Sequence, residues 1–188
     1  MLQLPAMSKL LAAFLFLALG CTASRPIDAT PPTAAVAPRV VVLVRHAEKA
    51  SDGGEDPELT EAGARRAECL ARTMRDAGVT HVFATTLQRT RHTVAPLADT
   101  LGLQVEVFEP DDYAAMLAAL DRLPAGSVAV VAGHSNTLPT LATRLGAPLS
   151  GLDDDGYLPV YDRLDIIVRD QPDHGARLQL RYCEPDPR

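Results

Sequence analysis

The chain has 188 residues and a mass of 20.1 kDa, with 47% hydrophobic and 22% charged residues and a formal charge of −6. That length suits one domain with a short appendage, and the composition excludes a wholly disordered chain, a collagen-like repeat and a polytopic membrane protein. A sequence pI near 5.3 gives no overall attraction to a nucleic-acid backbone, so any anionic ligand must be held by a local cluster of arginines.

Residues 10–20 form an almost unbroken apolar run behind Lys9, too short to span a membrane as a stable helix and of the form of an export signal. The run ends in Ala18-Leu19-Gly20-Cys21, which resembles a bacterial lipoprotein signal whose cysteine becomes the lipidated first residue. Here Ala18 stands where such signals usually carry Leu. An ordinary signal peptide cut near Ala23, or an uncleaved anchor, is the competing reading, and Met7 competes with Met1 as the start. Residues 24–38 carry Pro26, Pro31, Pro32 and Pro38 among Ala and Thr and read as a tether. The expected organisation is therefore a signal over 1–20, a tether over 21–38 and a folded domain over 39–188. Lipidation of Cys21 would anchor the protein to a membrane, facing the periplasm or the cell exterior.

From Arg39 the pattern alternates. Residues 39–44 (RVVVLV) are a continuous β-branched run, the mark of a strand covered on both faces. Thr60 can cap a helix to about Ala77, with Ala67, Leu70, Ala71, Met74 and Ala77 on one face and Gly78 beyond its end. Residues 80–84 read as a strand, Gln88–Leu101 as a helix closed by Gly102, and residues 104–108 as a strand. An amphipathic helix follows over 111–123, with Tyr113, Met116, Leu117 and Leu120 inward. Residues 127–132 form another apolar strand, and a helix then runs through Leu145 to Gly146. Residues 163–168 and 176–182 read as an antiparallel edge hairpin turning over 172–175. Strands alternating with helices imply an α/β fold, a three-layer α/β/α sandwich around a mostly parallel sheet.

Cys69 and Cys183 both fall in segments that read as packed, where buried free thiols are common, so unpaired cysteines are preferred and a disulfide stays open. Five histidines without ligand-type spacing, and no Cys-x-x-Cys, give no basis for a metal site, and no cofactor is expected.

In open α/β sheets the ligand lies beyond the carboxyl ends of the strands. Those ends carry Arg45-His46-Ala47-Glu48-Lys49, then 85–92 with Arg89 and Arg91, then Glu109-Pro110-Asp111-Asp112, then Gly133-His134-Ser135-Asn136. The last group opens a helix, whose N–H groups and dipole favour an anion. Arg45-His46, Leu59-Thr60-x-x-Gly63, Thr86-Leu87-x-Arg89-Thr90-x-His92-Thr93 and Gly133-His134-Ser135, in this order, resemble the histidine phosphatase superfamily with its phosphoglycerate mutase-like fold.

The resemblance implies a phosphatase that needs no metal. His46 would attack phosphorus in line and form a phosphohistidine that water hydrolyses. Attack needs a neutral ring, with the other nitrogen donating to a backbone carbonyl. Arg45, Arg89 and His134 would surround the phosphoryl oxygens, the guanidinium forks donating paired hydrogen bonds. His92 shares a helical face with Arg89, whereas Arg91 points away; Glu48 either orients an arginine or is a rim charge. The general acid for the leaving group is Glu109, Asp111 or Asp112, with Glu109 preferred because it directly follows its strand. Asp112 can instead cap the next helix.

Two other readings stay open: a phosphate-binding sensor of the same fold without turnover, and a serine hydrolase in which Gly133-His134-Ser135 approaches a nucleophile elbow around Ser135. The expected substrate is a phosphorylated small molecule or phosphoprotein. A phosphoglycerate mutase is disfavoured by size and setting, because an exported core of this length lacks the long insertions of the glycolytic enzymes and would not meet their substrates. Nucleic acid is not an expected partner, and the oligomeric state is not legible.

Overall fold

The apolar run after Arg39 becomes the interior strand β1 (Arg39–Arg45). Val41 and Leu43 enter one core layer and Val42 and Val44 the other, the double burial that a continuous β-branched run supplies. The computed structural model describes residues 37–52, 54–171 and 174–183; the export signal, Cys21 and the tether up to residue 36 lie outside them.

Helix α1 (Glu61–Met74) starts at Thr60, whose hydroxyl accepts from Gly63 N at 3.1 Å. It ends before the expected residue 77, because the chain turns over 75–78 into a left-handed Gly78 with φ 68°. There follow β2 (His81–Thr85), α2 (Gln88–Leu101), β3 (Val105–Phe108), α3 (Tyr113–Arg122), β4 (Val128–Gly133), α4 (Thr137–Arg144), β5 (Arg163–Gln171) and β6 (His174–Arg181). The bounds of α2 agree with the sequence reading, closed by Gly102 at φ 65°. The final hairpin is longer than expected, with both strands continuing to residues 171 and 174.

The sheet order is β3-β2-β4-β1-β5-β6. β1 to β4 run parallel, while β5 pairs antiparallel with β1 and β6 with β5. Leu70 and Met74 of α1 pack with Val94 and Leu97 of α2 in one core layer. Met116 and Leu120 of α3 pack with Leu138 and Leu141 of α4 in the other. This is the expected three-layer sandwich. Each fully buried leucine contributes about 1.5–3 kcal/mol of transfer free energy, so the two layers hold the sheet edge rigidly enough to carry a site.

The preference for free thiols is corrected. Cys69 on α1 and Cys183 beyond β6 form a disulfide, with Cα atoms 6.0 Å apart and 114 residues of separation. Tyr182 is buried in the same core layer as Leu70 and Met74, so the chain leaving β6 passes over α1 and brings Cys183 to Cys69. That adjacency arises from packing between distant segments and leaves no local trace.

Candidate active site

Strand register builds the site. Arg45 and Gly133 are paired on the parallel neighbours β1 and β4, so the next residue of each, His46 and His134, leaves the sheet edge side by side. The His46 amide continues the ladder to Gly133 O at 2.8 Å, and the two rings lie 5.4 Å apart between centroids. On the other side of β4, Phe83 of β2 pairs with Val131. Thr85 is therefore level with Gly133, and its hydroxyl lies 3.0 Å from His134 Nε2.

His46 is buried, and its Nδ1 lies 2.8 Å from Ala47 O. A carbonyl only accepts, so Nδ1 carries the proton and Nε2 keeps its lone pair, the tautomer expected of a nucleophile. Burial holds the His46 pKa down at about 3; the Ala47 hydrogen bond opposes this, while His134, Arg45 and Arg89 reinforce it. Burial, followed by Arg89 and Arg45, lowers His134 to about 4. Both rings are neutral at pH 7.

Arg45 Nη1 donates to Leu158 O and Pro159 O, each at 2.9 Å. Its guanidinium stacks 4.0 Å over the Tyr161 ring, which itself lies 5.8 Å from the His46 ring. Arg89 sits in the first turn of α2, with Nη1 3.8 Å from Asp56 Oδ1. The same Asp56 oxygen accepts from Gln88 N at 2.9 Å and so caps a helix whose N-cap residue, Leu87, has no side-chain acceptor. Arg89 Nε and Nη1 and His134 Nδ1 are buried without a hydrogen-bond partner among the described residues. Buried polar groups of this kind around a neutral imidazole are what an oxyanion would complete.

Glu48 does orient an arginine, but that arginine is Arg66. Its carboxylate accepts from Arg66 Nη2 at 2.6 Å and from Nε at 2.9 Å, tying the loop after β1 to α1. A Cβ on Gly63 would lie 2.2 Å from Glu48 O, which explains the glycine in Thr60-x-x-Gly63: only a bare α-carbon lets the helix approach the loop that bears His46. Thr93, buried on α2, accepts from Ala47 N at 2.8 Å and donates to Arg89 O at 2.6 Å. It thereby links the residue after His46 to the helical turn that carries Arg89.

The remaining candidates divide. Glu109 is exposed and accepts from Thr86 Oγ1 at 3.1 Å. β3 lies three strand spacings from β1, roughly 14 Å, so Glu109 stands at the outer wall rather than beside His46. Asp112 caps α3, accepting from Ala115 N at 3.0 Å, and Asp111 is exposed. Arg91 and His92 are both exposed on α2, so His92 does not share the half-buried setting of Arg89. Ser135 gives its carbonyl to Leu158 N at 2.8 Å. The adjacent His134 is turned to Thr85 instead, so Ser135 gains no base from it. Sequence reasoning missed Tyr161, Asp56 and the carbonyls of Leu158 and Pro159, which belong to irregular segments. It also missed Thr85, although that threonine adjoins the quoted Thr86-Leu87-x-Arg89 motif.

The sequence model of the histidine phosphatase superfamily (branch 1) matches residues 41–110, the stretch that carries His46, Gly63 and Arg89. Over that stretch the chain is similar to the histidine phosphatase superfamily, as its ordered motifs imply. It is 41% identical over 76 residues to the probable phosphoglycerate mutase GpmB of Erwinia tasmaniensis, a match covering 37% of this chain and 35% of that one. It thus spans about a third of the length of the curated relatives it matches. Among solved structures it is similar to SixA of Nakamurella multipartitia, with a TM-score of 0.56 and 25% identity over 79% of this chain and 96% of that one. The protein histidine phosphatase SixA in complex with tungstate has the same fold, with a TM-score of 0.61 and 19% identity over 76% and 96% of the two chains. The superfamily match ends at residue 110, so His134 and the wall formed by Leu158 to Tyr161 are located by the fold.

Proposed function

We propose that the protein is a metal-independent phosphatase that hydrolyses phosphomonoesters through a phosphohistidine on His46. The observation that carries this reading is the committed tautomer of His46: Nδ1–H is spent on Ala47 O, and a bare Nε2 stands beside buried nitrogens of Arg89 and His134 that lack hydrogen-bond partners among the described residues. Nε2 attacks phosphorus as the bond to the ester oxygen breaks. Arg45, Arg89 and His134 hold the phosphoryl oxygens as charge spreads over them. The leaving alkoxide takes a proton from Glu109, which lines one cavity with Thr85 and Gly133 next to His134 and so faces the leaving-group side. Water then attacks the phosphohistidine, giving its proton to the Glu109 carboxylate and releasing phosphate.

We further propose that the protein is exported and anchored at Cys21. The Cys69–Cys183 disulfide supports an oxidising compartment, since such bonds are rare in reducing ones.

Hydrolysis of a chromogenic aryl phosphate with EDTA present, beside His46→Ala, tests the reading. The expected result is EDTA-resistant turnover that falls at least ~10³-fold in the variant, with phosphate trapped on the histidine of the denatured wild type. Phosphate binding without turnover across a panel of phosphomonoesters would overturn it in favour of a sensor, and turnover that survives in His46→Ala would overturn the phosphohistidine.

A further inference from the structure

His46 and His134 are both neutral, yet the hydrogen bonds behind them place the proton on opposite nitrogens. Thr90 is fully buried in the first turn of α2, and its Oγ1 lies 2.8 Å from Leu87 O and 3.0 Å from Thr85 O. Carbonyl oxygens only accept, so the single hydroxyl hydrogen of Thr90 goes to them, and Thr90 Oγ1 accepts from the Thr85 hydroxyl at 2.8 Å. With its hydrogen spent, Thr85 Oγ1 accepts from His134 Nε2 at 3.0 Å.

A one-way chain therefore runs from imidazole through two hydroxyls to backbone carbonyl, and all three side chains in it are buried. The reverse polarity would turn the close Thr90 contacts to Leu87 O and Thr85 O into oxygen against oxygen. It would also leave an unpartnered N–H at the buried Nδ1 of His134, a rarer defect in proteins than a bare acceptor.

We infer that Thr85 and Thr90 are positioning residues that hold His134 as the Nε2–H tautomer, so that its Nδ1 is a bare proton acceptor. His46 is the mirror case, with Nδ1 protonated and Nε2 bare. The consequence, which rests on the phosphatase reading, is a site that charges only when occupied. Burial, followed by Arg89 and Arg45, opposes a proton on His134 in the free protein, and an entering phosphate offsets the charge of the two arginines. The acidic proton of a phosphate monoanion moves from its P–O–H oxygen to Nδ1, leaving a dianion held by an imidazolium N–H.

Nitrogen NMR of the full chain, labelled with 15N in histidine, reads the tautomers directly through long-range 1H–15N correlations at neutral pH. The His134 signals are identified by their loss in His134→Gln. The expected resting state has Nε2 protonated in His134 and Nδ1 protonated in His46; a protonated Nδ1 on His134 overturns the inference. Saturating inorganic phosphate is expected to protonate both nitrogens of His134, and a ring that stays neutral in the bound state removes its role as acceptor. Thr85→Val keeps the shape and deletes the hydroxyl. It should give mixed His134 tautomers and phosphate binding weakened about 5–10-fold, both restored in Thr85→Ser. An unchanged Nε2–H tautomer in Thr85→Val would dismiss the threonine as a positioning residue. The resting spectrum needs no turnover, so a chain that hydrolysed nothing would lose the phosphatase reading while the tautomer assignment stood on its own data.

Discussion

Arg89 reaches the site from the first turn of a helix, with two of its buried nitrogens lacking hydrogen-bond partners among the described residues. A guanidinium held this way supplies a planar pair of donors to a phosphoryl group, which an ammonium cannot reproduce. Arg89→Ala should lower kcat on an aryl phosphate by ~10²–10³-fold, and Arg89→Lys should recover little of that loss. Parallel thermal melts should show a folded protein in both variants. A second residue-scale consequence concerns pH. His46 and His134 titrate at about 3 and about 4 in the folded protein, below the ordinary value of 6.5, so the unfolded chain binds more protons between those limits. The stability gained by keeping the rings neutral is full above pH 6.5 and is lost as the pH falls toward the folded values. At pH 5 the cost is ~2 kcal/mol for each ring. Urea midpoints at pH 7.5 and pH 5 measure it. The drop should shrink clearly in the double variant His46→Gln/His134→Gln; an unchanged drop would contradict the buried neutral pair.

At the scale of elements, the site follows from where strands end. The chain order of the four motifs was legible because three sit where an apolar strand ends and the fourth, Leu59-Thr60-x-x-Gly63, opens α1. Which ends are neighbours was not legible: the order β3-β2-β4-β1 sets His134 between Thr85 and His46 and leaves Glu109 on the far side. The segment between α4 and β5 lacked any periodic signal, yet its Leu158 and Pro159 carbonyls and Tyr161 ring hold Arg45. The Cys69–Cys183 bond belongs to this scale as well, since it ties α1 to the end of β6 beside Tyr182 and Arg66. Breaking the link in Cys69→Ser/Cys183→Ser should cost ~2–4 kcal/mol, chiefly by freeing the unfolded chain. Urea unfolding with and without a reductant checks this: the wild type should fall to the level of the variant under reduction, and the variant should not respond.

For the whole molecule, the sandwich presents its site at one sheet edge, and the chain arrives at β1 from a segment read as an export signal and tether. If Cys21 is the attachment point, Cys21→Ser should move the protein from the membrane fraction to the soluble fraction without changing hydrolysis of an aryl phosphate. Retention in the membrane fraction would favour an uncleaved N-terminal anchor instead. The sequence by itself determined the fold class and the run of strands and helices, which depend on local periodicity. It named His46, His134, Arg45 and Arg89 as candidates through the ordered motifs that resemble the histidine phosphatase superfamily. Only the tertiary structure decided the His46 and His134 tautomers, the pairing of Glu48 with Arg66, the outlying place of Glu109 and the disulfide. Each of these depends on which atoms from distant parts of the chain come within about 3–4 Å, a property of packing that no single stretch of sequence encodes.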